Sequence, residues 1–426
     1  MGRTEPSSGW SPGCLKQLQK AKMNPFFISF RFAWRAIQQS RLTSSIAIFT
    51  IALSGGLFMG AWQSKQSVKS AFAHSAGGFD AVLGARGSQL QLVLNALFHI
   101  ENSPGNLSWD QYETVRDHPG VSEAYPFALG DNYLGYRIVG TLPEMFLQHH
   151  WKQGKHYQVQ SPGRIFSNVA KEALVGAQVA GKLGLQLGDR FHPYHGLEYN
   201  PDTKHDDVYL VVGILEPTGT PADQVIWIPL KGVQMMEGHD PEAVDSISGV
   251  LLNLRGSSGL ALDVKYNKQG DRATFAWPVP AILSSFFNRF AWLEKSVAGL
   301  ALLMALVGAL IILATLRSTM HERRREFAVL RCLGASRSVV TGAILWQSLL
   351  IALCGSIGSW LVYIALSLGL SSLIKLQVGV SMGFPLFDWI TFQTCGAILG
   401  LGLLSAWLPA RTLYRSNLQD SLNTNG

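Results

Sequence analysis

Four stretches of the chain carry no Asp, Glu, Lys or Arg and consist mostly of apolar residues. They are residues 44–62, residues 296–316, a run that starts at Val339 and meets no charge until Lys375, and residues 389–410. About 20 apolar residues in a helix cross a hydrocarbon core of roughly 30 Å. Uncharged runs of this length predict membrane spans, because a soluble helix keeps a polar face. The third run is 36 residues long, more than one crossing needs. We read 339–367 as the helix and 368–374 as a continuation or turn within a short outer loop, 368–388.

Between the first and second spans the pattern changes to that of a folded soluble domain, over 64–295. Residues 110–120 predict a short helix stopped by Pro119-Gly120. Residues 136–140, 208–215, 224–229 and 249–254 predict strands by their β-branched content. Residues 171–185 predict a helix, and 278–293 a helix that returns to the second span. Strands and helices without strict alternation favour α+β. The predicted fold class is therefore an integral membrane α-helical protein: four transmembrane helices, both termini cytoplasmic, and a large α+β extracytoplasmic domain inserted between helices 1 and 2.

Charge orients this layout. The segments 1–43, 317–338 and 411–426 together carry +11, whereas 64–295 carries −4. Lys and Arg beside spans stay in the cytoplasm, so 64–295 is expected outside. The net charge of +7 follows from topology and gives no reason to expect nucleic acid as a partner. Of the four cysteines, Cys14 and Cys332 fall on the inner side and Cys354 and Cys395 within spans. The exported domain is expected to fold without disulfides.

The expected boundaries follow. Residues 1–22 form a disordered extension, Met23 reading better as a start. Residues 23–43 form an amphipathic interfacial helix opened by Pro25, with Phe26, Phe30, Ala33 and Ile37 on one face and Arg31 and Arg35 on another. Spans cover 44–63, 296–316, 339–367 and 389–410. The domain with its stalk ends covers 64–295, an inner loop 317–338, and a cytoplasmic tail 411–426. The first apolar run begins after residue 40 and is long enough to span, so it reads as a span and not as a cleaved leader.

The segment 321–336, His-Glu-Arg-Arg-Arg-Glu-Phe-Ala-Val-Leu-Arg-Cys-Leu-Gly-Ala-Ser, predicts a short inner helix. Phe327, Leu330, Leu333 and Gly334 share an apolar face, Glu326 and Arg331 lie off it, and Gly334 is placed to end it. A plain basic anchoring loop is the alternative. The run RRREFAVLRCLGAS closely resembles the signature of the MacB/LolCDE/FtsX-type ABC transporter permeases, here without an ATPase domain in the chain. The segments EALVGAQVAGKLGLQLGD (172–189) and LPARTLYRSNLQDSL (408–422) resemble that family too, as does the four-span layout with its large loop after the first span. Asn417 departs from it, where a Pro is common.

That resemblance implies a bacterial inner-membrane permease that works as a dimer with a second copy or a paralogue. A separate cytoplasmic ATPase dimer would bind ATP and Mg. The residues that would dock into the ATPase are Glu326, Phe327, Leu330, Arg331, Leu333, Gly334 and Ala335. ATP hydrolysis would drive conformational work of the periplasmic domain (mechanotransmission), exporting or extracting a substrate at the outer face of the membrane. The uncharged spans agree, since ion-coupled carriers usually place charges there. A non-transporting regulator that switches a periplasmic partner protein is the alternative, and a divalent-metal-linked transporter a third.

Gly176–Leu183 nearly fits the phosphate-loop pattern, but Leu183 stands where a hydroxyl would hold magnesium. The chain itself is expected to carry no ATPase. Ten of the eleven histidines lie in 64–295. His192, His195, His205, Asp206 and Asp207 form the densest group, on a segment that reads as a loop; His149, His150 and His156 form a second. Imidazoles beside carboxylates are ligands for zinc-like ions, and a solvated polar loop is the other reading. Residues 77–100 carry more apolar surface than one helix face needs, for a core helix or for a membrane-proximal surface meeting an apolar substrate or the second subunit. H-E-x-x-H does not occur, and the G-x-S-x-G at Gly9–Gly13 falls within the expected extension 1–22, so no enzymatic site is expected.

Overall fold

The computed structural model describes residues 25–74, 76–236, 244–270, 272–322, 337–378 and 383–415. The chain divides into two compact units: Met1–Trp62, Lys295–Leu366 and Pro385–Gly426 make the first, and Gln63–Glu294 with Ser367–Phe384 the second. The expected extension 1–22 lies outside the described residues.

The first unit is helical. Helix α1 (Pro25–Gln39) is the expected amphipathic helix, followed by α2 (Arg41–His74). Among the described residues four helices are long and apolar enough to cross a membrane: Arg41–Phe72, Ala291–Ser318, Ser338–Leu376 and Trp389–Trp407. The small core of this unit joins Ala47 and Ile51, Ile312 and Leu316, Ile344 and Ile351, and Ile398 and Ala406. Close packing replaces hydrophobicity as the cohesive force inside a membrane, and small residues permit it. A Cβ on Gly56 would sit 2.5 Å from the Val362 side chain, and one on Gly355 2.6 Å from Ile51. The Ser359 hydroxyl donates to the Ile51 carbonyl at 3.0 Å. On α1, the Ser29 hydroxyl donates to the Val339 carbonyl at 3.0 Å, and Phe26 and Phe30 meet Trp346 edge-on.

The second unit is built on a mixed sheet. In chain order its elements begin with β1 (Ala81–Ala85), α3 (Gln89–Phe98), β2 (Leu107–Ser108), α4 (Trp109–Arg116), β3 (Val121–Tyr133) and β4 (Tyr136–Thr141). They continue with α5 (Glu144–Gln148), β5 (His150–Lys152), β6 (Lys155–His156), β7 (Glu172–Val175), α6 (Ala177–Leu183), β8 (Arg190–Phe191), β9 (Tyr194–His195), β10 (Tyr209–Ile214) and β11 (Ile226–Pro229). Then come α7 (Leu230–Gln234), β12 (Ser246–Ile247), β13 (Gly249–Leu254), α8 (Ser258–Asp263), β14 (Ala273–Ala276) and α9 (Val279–Arg289). The long helices α10 (Ala291–Glu322), α11 (Arg337–Val378) and α12 (Trp389–Arg415) complete the chain. Strand order in the main sheet is β14-β1-β13-β3-β4-β11-β7-β10-β8, and β9 adds to β3. The pairs β4–β11 and β7–β10 are parallel, the others antiparallel. Every residue of β1, β11 and β14 is buried, as expected of strands covered on both faces.

Two apolar clusters flank this sheet. One gathers Leu92, Val93, Ala96, Leu97 and Phe98 of α3 with Phe146 and Trp227. Residues 77–100 thus supply a core strand and a core helix. The other cluster gathers Tyr112 and Val115 of α4 with Val179 of α6, Val233 and Leu262. Helix α4 starts at Ser108, whose hydroxyl accepts from the Gln111 amide while the Gln111 side chain accepts from the Ser108 amide. This reciprocal cap satisfies two amides that the helix leaves open.

Two expectations change. Residues 171–185 are not one helix: β7 pairs with β10 and β11, and only 177–183 is helical. The third long helix does not end near 367 but continues to Val378. Its last carbonyls find donors: the Gln178 amide and the Gln224 amide on Lys375, and the Lys182 ammonium on Leu376. Donors on otherwise open C-terminal carbonyls favour extending the helix.

Candidate functional site

Strand β3 is the longest in the sheet, and it carries two neighbours in succession. Its residues from Val121 to Phe127 pair with β13; beyond that point Asp131 and Asn132 pair with β9. Between Leu129 and Asp131 the register against β4 shifts by one residue, so Gly130 forms a bulge. Bulges bend a strand and re-aim the next side chain. Asp131 follows directly, fully buried, with His195 as its cross-strand partner.

The segment that carries the histidines is tied to β3 by its backbone. The Gly196 amide donates to the Gly130 carbonyl at 2.9 Å. Buried Asn132 donates from its amide nitrogen to the carbonyls of Gly196 at 2.9 Å and Glu198 at 3.1 Å. The short helical turn Pro201–Thr203 brings the chain back, and the Thr203 hydroxyl donates to the His195 carbonyl at 3.1 Å. The His205 amide donates to the Pro193 carbonyl at 2.9 Å. The segment 192–207 is thus a pinned excursion with a short strand in it.

The result is a three-residue constellation. Nε2 of His205 lies 3.1 Å and Nδ1 of His195 3.5 Å from Oδ1 of Asp131. The three atoms all lie within 4.8 Å of one another. His205 is buried with Asp131, whereas the His195 side chain is 57% exposed. An ionised carboxylate only accepts, so the His205 Nε2–H donates to it.

Of the residues singled out in the sequence, His195 and His205 therefore meet. His192, Asp206 and Asp207 do not join them. Nδ1 of His192 lies 3.2 Å from the His205 carbonyl, Asp206 is exposed, and Asp207 is ion-paired to Lys171. Asp131 takes their place. The second histidine group also divides. His150 and His156 face each other with ring centroids 3.7 Å apart. His149 is buried, with Nδ1 3.0 Å from Oε2 of Glu123, Nε2 2.5 Å from the Gly77 carbonyl, and its ring stacked on Phe79.

The phosphate-loop lookalike sits after a strand, where a helix-like run was expected, since β7 precedes Gly176. Lys182 is nonetheless committed: its ammonium reaches the Leu376 carbonyl at 3.2 Å. Glu326, Phe327, Leu330, Arg331, Leu333, Gly334 and Ala335 lie outside the described residues.

Comparison with known proteins bears on the helical part of the chain. Residues 298–418 match the model of the FtsX-like permease C-terminal family. The macrolide export ATP-binding/permease protein MacB of Salmonella paratyphi A is 24% identical over 211 residues, which is 48% of this chain and 30% of that protein. MacB of Escherichia coli K12 is 24% identical over 201 residues, covering 46% of this chain and 28% of that one. The match thus spans less than a third of the length of these curated relatives. The solved periplasmic region of MacB from Actinobacillus actinomycetemcomitans aligns over 50% of this chain and 94% of its own, with 10% identity and a TM-score of 0.32, a likeness too loose to carry an argument. The matched domain takes in the second to fourth spans and the segments that join them, so this part of the chain is similar to FtsX-like permeases and to MacB.

Proposed function

We propose that the chain is the membrane subunit of an ATP-driven complex. A separate cytoplasmic ATPase would dock on the 321–336 segment, and its cycle would do conformational work on the 64–295 domain outside. The observation that carries this reading is the FtsX-like match over 298–418, which includes the Arg-rich segment and three of the four spans. The distribution of Lys and Arg supports the orientation, with the charged segment inside and the sheet domain periplasmic. Helix length supports the mechanical part. Helix α2 has 34 residues and α11 has 42, so they run for about 50 and 60 Å, well beyond a hydrocarbon core of roughly 30 Å. Rigid helices longer than the membrane can carry displacement across it without opening a polar path. Exposed Leu302, Leu303 and Leu306 on α10 offer a surface to lipid or to a second permease copy.

The test is co-expression of the chain with an ATPase encoded beside it, followed by purification through a tag on the permease alone. A stoichiometric ATPase whose hydrolysis rate depends on the permease supports the proposal. A permease that purifies alone and leaves that rate unchanged contradicts it.

A further inference from the structure

We propose that Asp131, His195 and His205 form a binding site for a divalent cation of the zinc class on the sheet domain. This inference is independent of the permease reading and stands on the geometry of β3, β9 and the turn after it. Tetrahedral zinc bound by imidazole nitrogen and carboxylate oxygen at about 2.0–2.2 Å sets its ligand atoms about 3.4 Å apart. The two separations from Oδ1 of Asp131, 3.1 Å to His205 and 3.5 Å to His195, bracket that value. The third separation is within 4.8 Å, and it would close by rotation of the His195 side chain, which is the exposed member.

The donor set also selects the class of ion. Two imidazoles and one carboxylate suit zinc and its first-row neighbours, whereas calcium and magnesium demand oxygen shells. Three protein ligands leave at least one coordination position open to water or to a further ligand. The exposed His195 provides the entry path. The supporting contacts are those expected around ligands: Thr203 holds the His195 carbonyl, Asn132 holds the 196–198 backbone, and Pro193 anchors the His205 amide. Binding through Nε2 of His205 takes the tautomer that carries its proton on Nδ1. The bound ion would lock β9 and the Pro201–Thr203 turn onto the bulged end of β3.

The experiment uses the full chain, purified in detergent through a tag without histidine and stripped with EDTA. Zinc chloride is titrated against a fluorescent chelator, and cobalt chloride is followed by visible absorption. The expected result is one saturable equivalent with the ligand-field bands of four- or five-coordinate cobalt. Affinity falls at least about tenfold in His195→Ala, whose side chain is outside the core, and in Asp131→Asn. The double substitution H150A/H156A leaves the equivalent in place. Absence of a saturable equivalent overturns the proposal, showing the trio to be a hydrogen-bonded clasp only. Equal affinity in His195→Ala and the wild type overturns it as well, because the ion then binds elsewhere.

Discussion

Asp131 and His195 are directly opposed across the β3–β9 ladder, the buried carboxylate oxygen lying 3.5 Å from the exposed imidazole nitrogen. The ladder itself is short, two residues on each strand. Its hold on the 192–207 segment depends on side chains that few strands carry in their interior.

Asp131→Ala is therefore expected to loosen that segment even with metal removed. The substitution leaves the buried His205 N–H without its acceptor, at a cost of about 1–3 kcal/mol. Hydrogen exchange measured by mass spectrometry on the EDTA-treated full chain should show the peptide containing the His205 amide exchanging roughly five to a hundred times faster. Exchange at α3 should stay unchanged. Equal protection of the 192–207 peptide in both proteins would remove the role given to Asp131.

His99 sets an acid limit on the sheet domain. It closes α3 with φ 55°, its Nδ1 is sealed from solvent although the residue is partly exposed, and its ring meets Trp227 edge-on. Burial, helped by the charge of Arg137, lowers its pKa to about 3. The folded chain therefore keeps the ring neutral, while the unfolded chain takes up a proton near pH 6.5. Its contribution to stability is complete above about pH 6.5 and is lost as pH falls towards 3, at up to about 1.4 kcal/mol per pH unit. His99→Asn keeps a residue that tolerates the left-handed conformation and removes the titration. Between pH 6.5 and 4 its thermal midpoint should fall less steeply than that of the wild type; parallel slopes would show that His99 is not the responsible group.

The packing of α2 on α11 gives a third expectation. Gly56→Ala places a methyl 2.5 Å from Val362 and 3.0 Å from the Ser359 carbonyl. Overpacking of this kind costs about 1–3 kcal/mol, so the thermal midpoint of the detergent-solubilised chain should drop. Gly396→Ala, on α12 with open space around it, should leave the midpoint unchanged or raise it, since alanine is the better helix former. A Gly56→Ala protein as stable as the wild type would contradict this close approach of the two helices.

How far each feature was legible depended on the range of the interactions that determine it. Four uncharged runs sufficed for the spans, because solvation in lipid acts on every residue locally. The end of α11 was not legible: Gln178, Lys182 and Gln224 cap it from distant parts of the chain. Residues 171–185 have helical composition, yet pairing with β10 and β11 holds 172–175 extended, tertiary context overriding propensity. His195 and His205 stood out by their density. Asp131 did not, since only the β3–β9 pairing brings it to them. One local signal existed, Asp131-Asn132 within a strand, a setting where both residue types are depleted and a buried polar role is implied.

The central claim, that ATP hydrolysis is coupled through 321–336, is tested most directly by the hydrolysis rate of the reconstituted complex. We expect permease-dependent ATPase activity in the wild type. Glu326→Ala and Arg331→Ala should reduce that dependence by tenfold or more, about 1.4 kcal/mol of coupling, with the intrinsic rate of the isolated ATPase as the floor. Permease-dependent hydrolysis at the wild-type level in both variants would contradict the assignment.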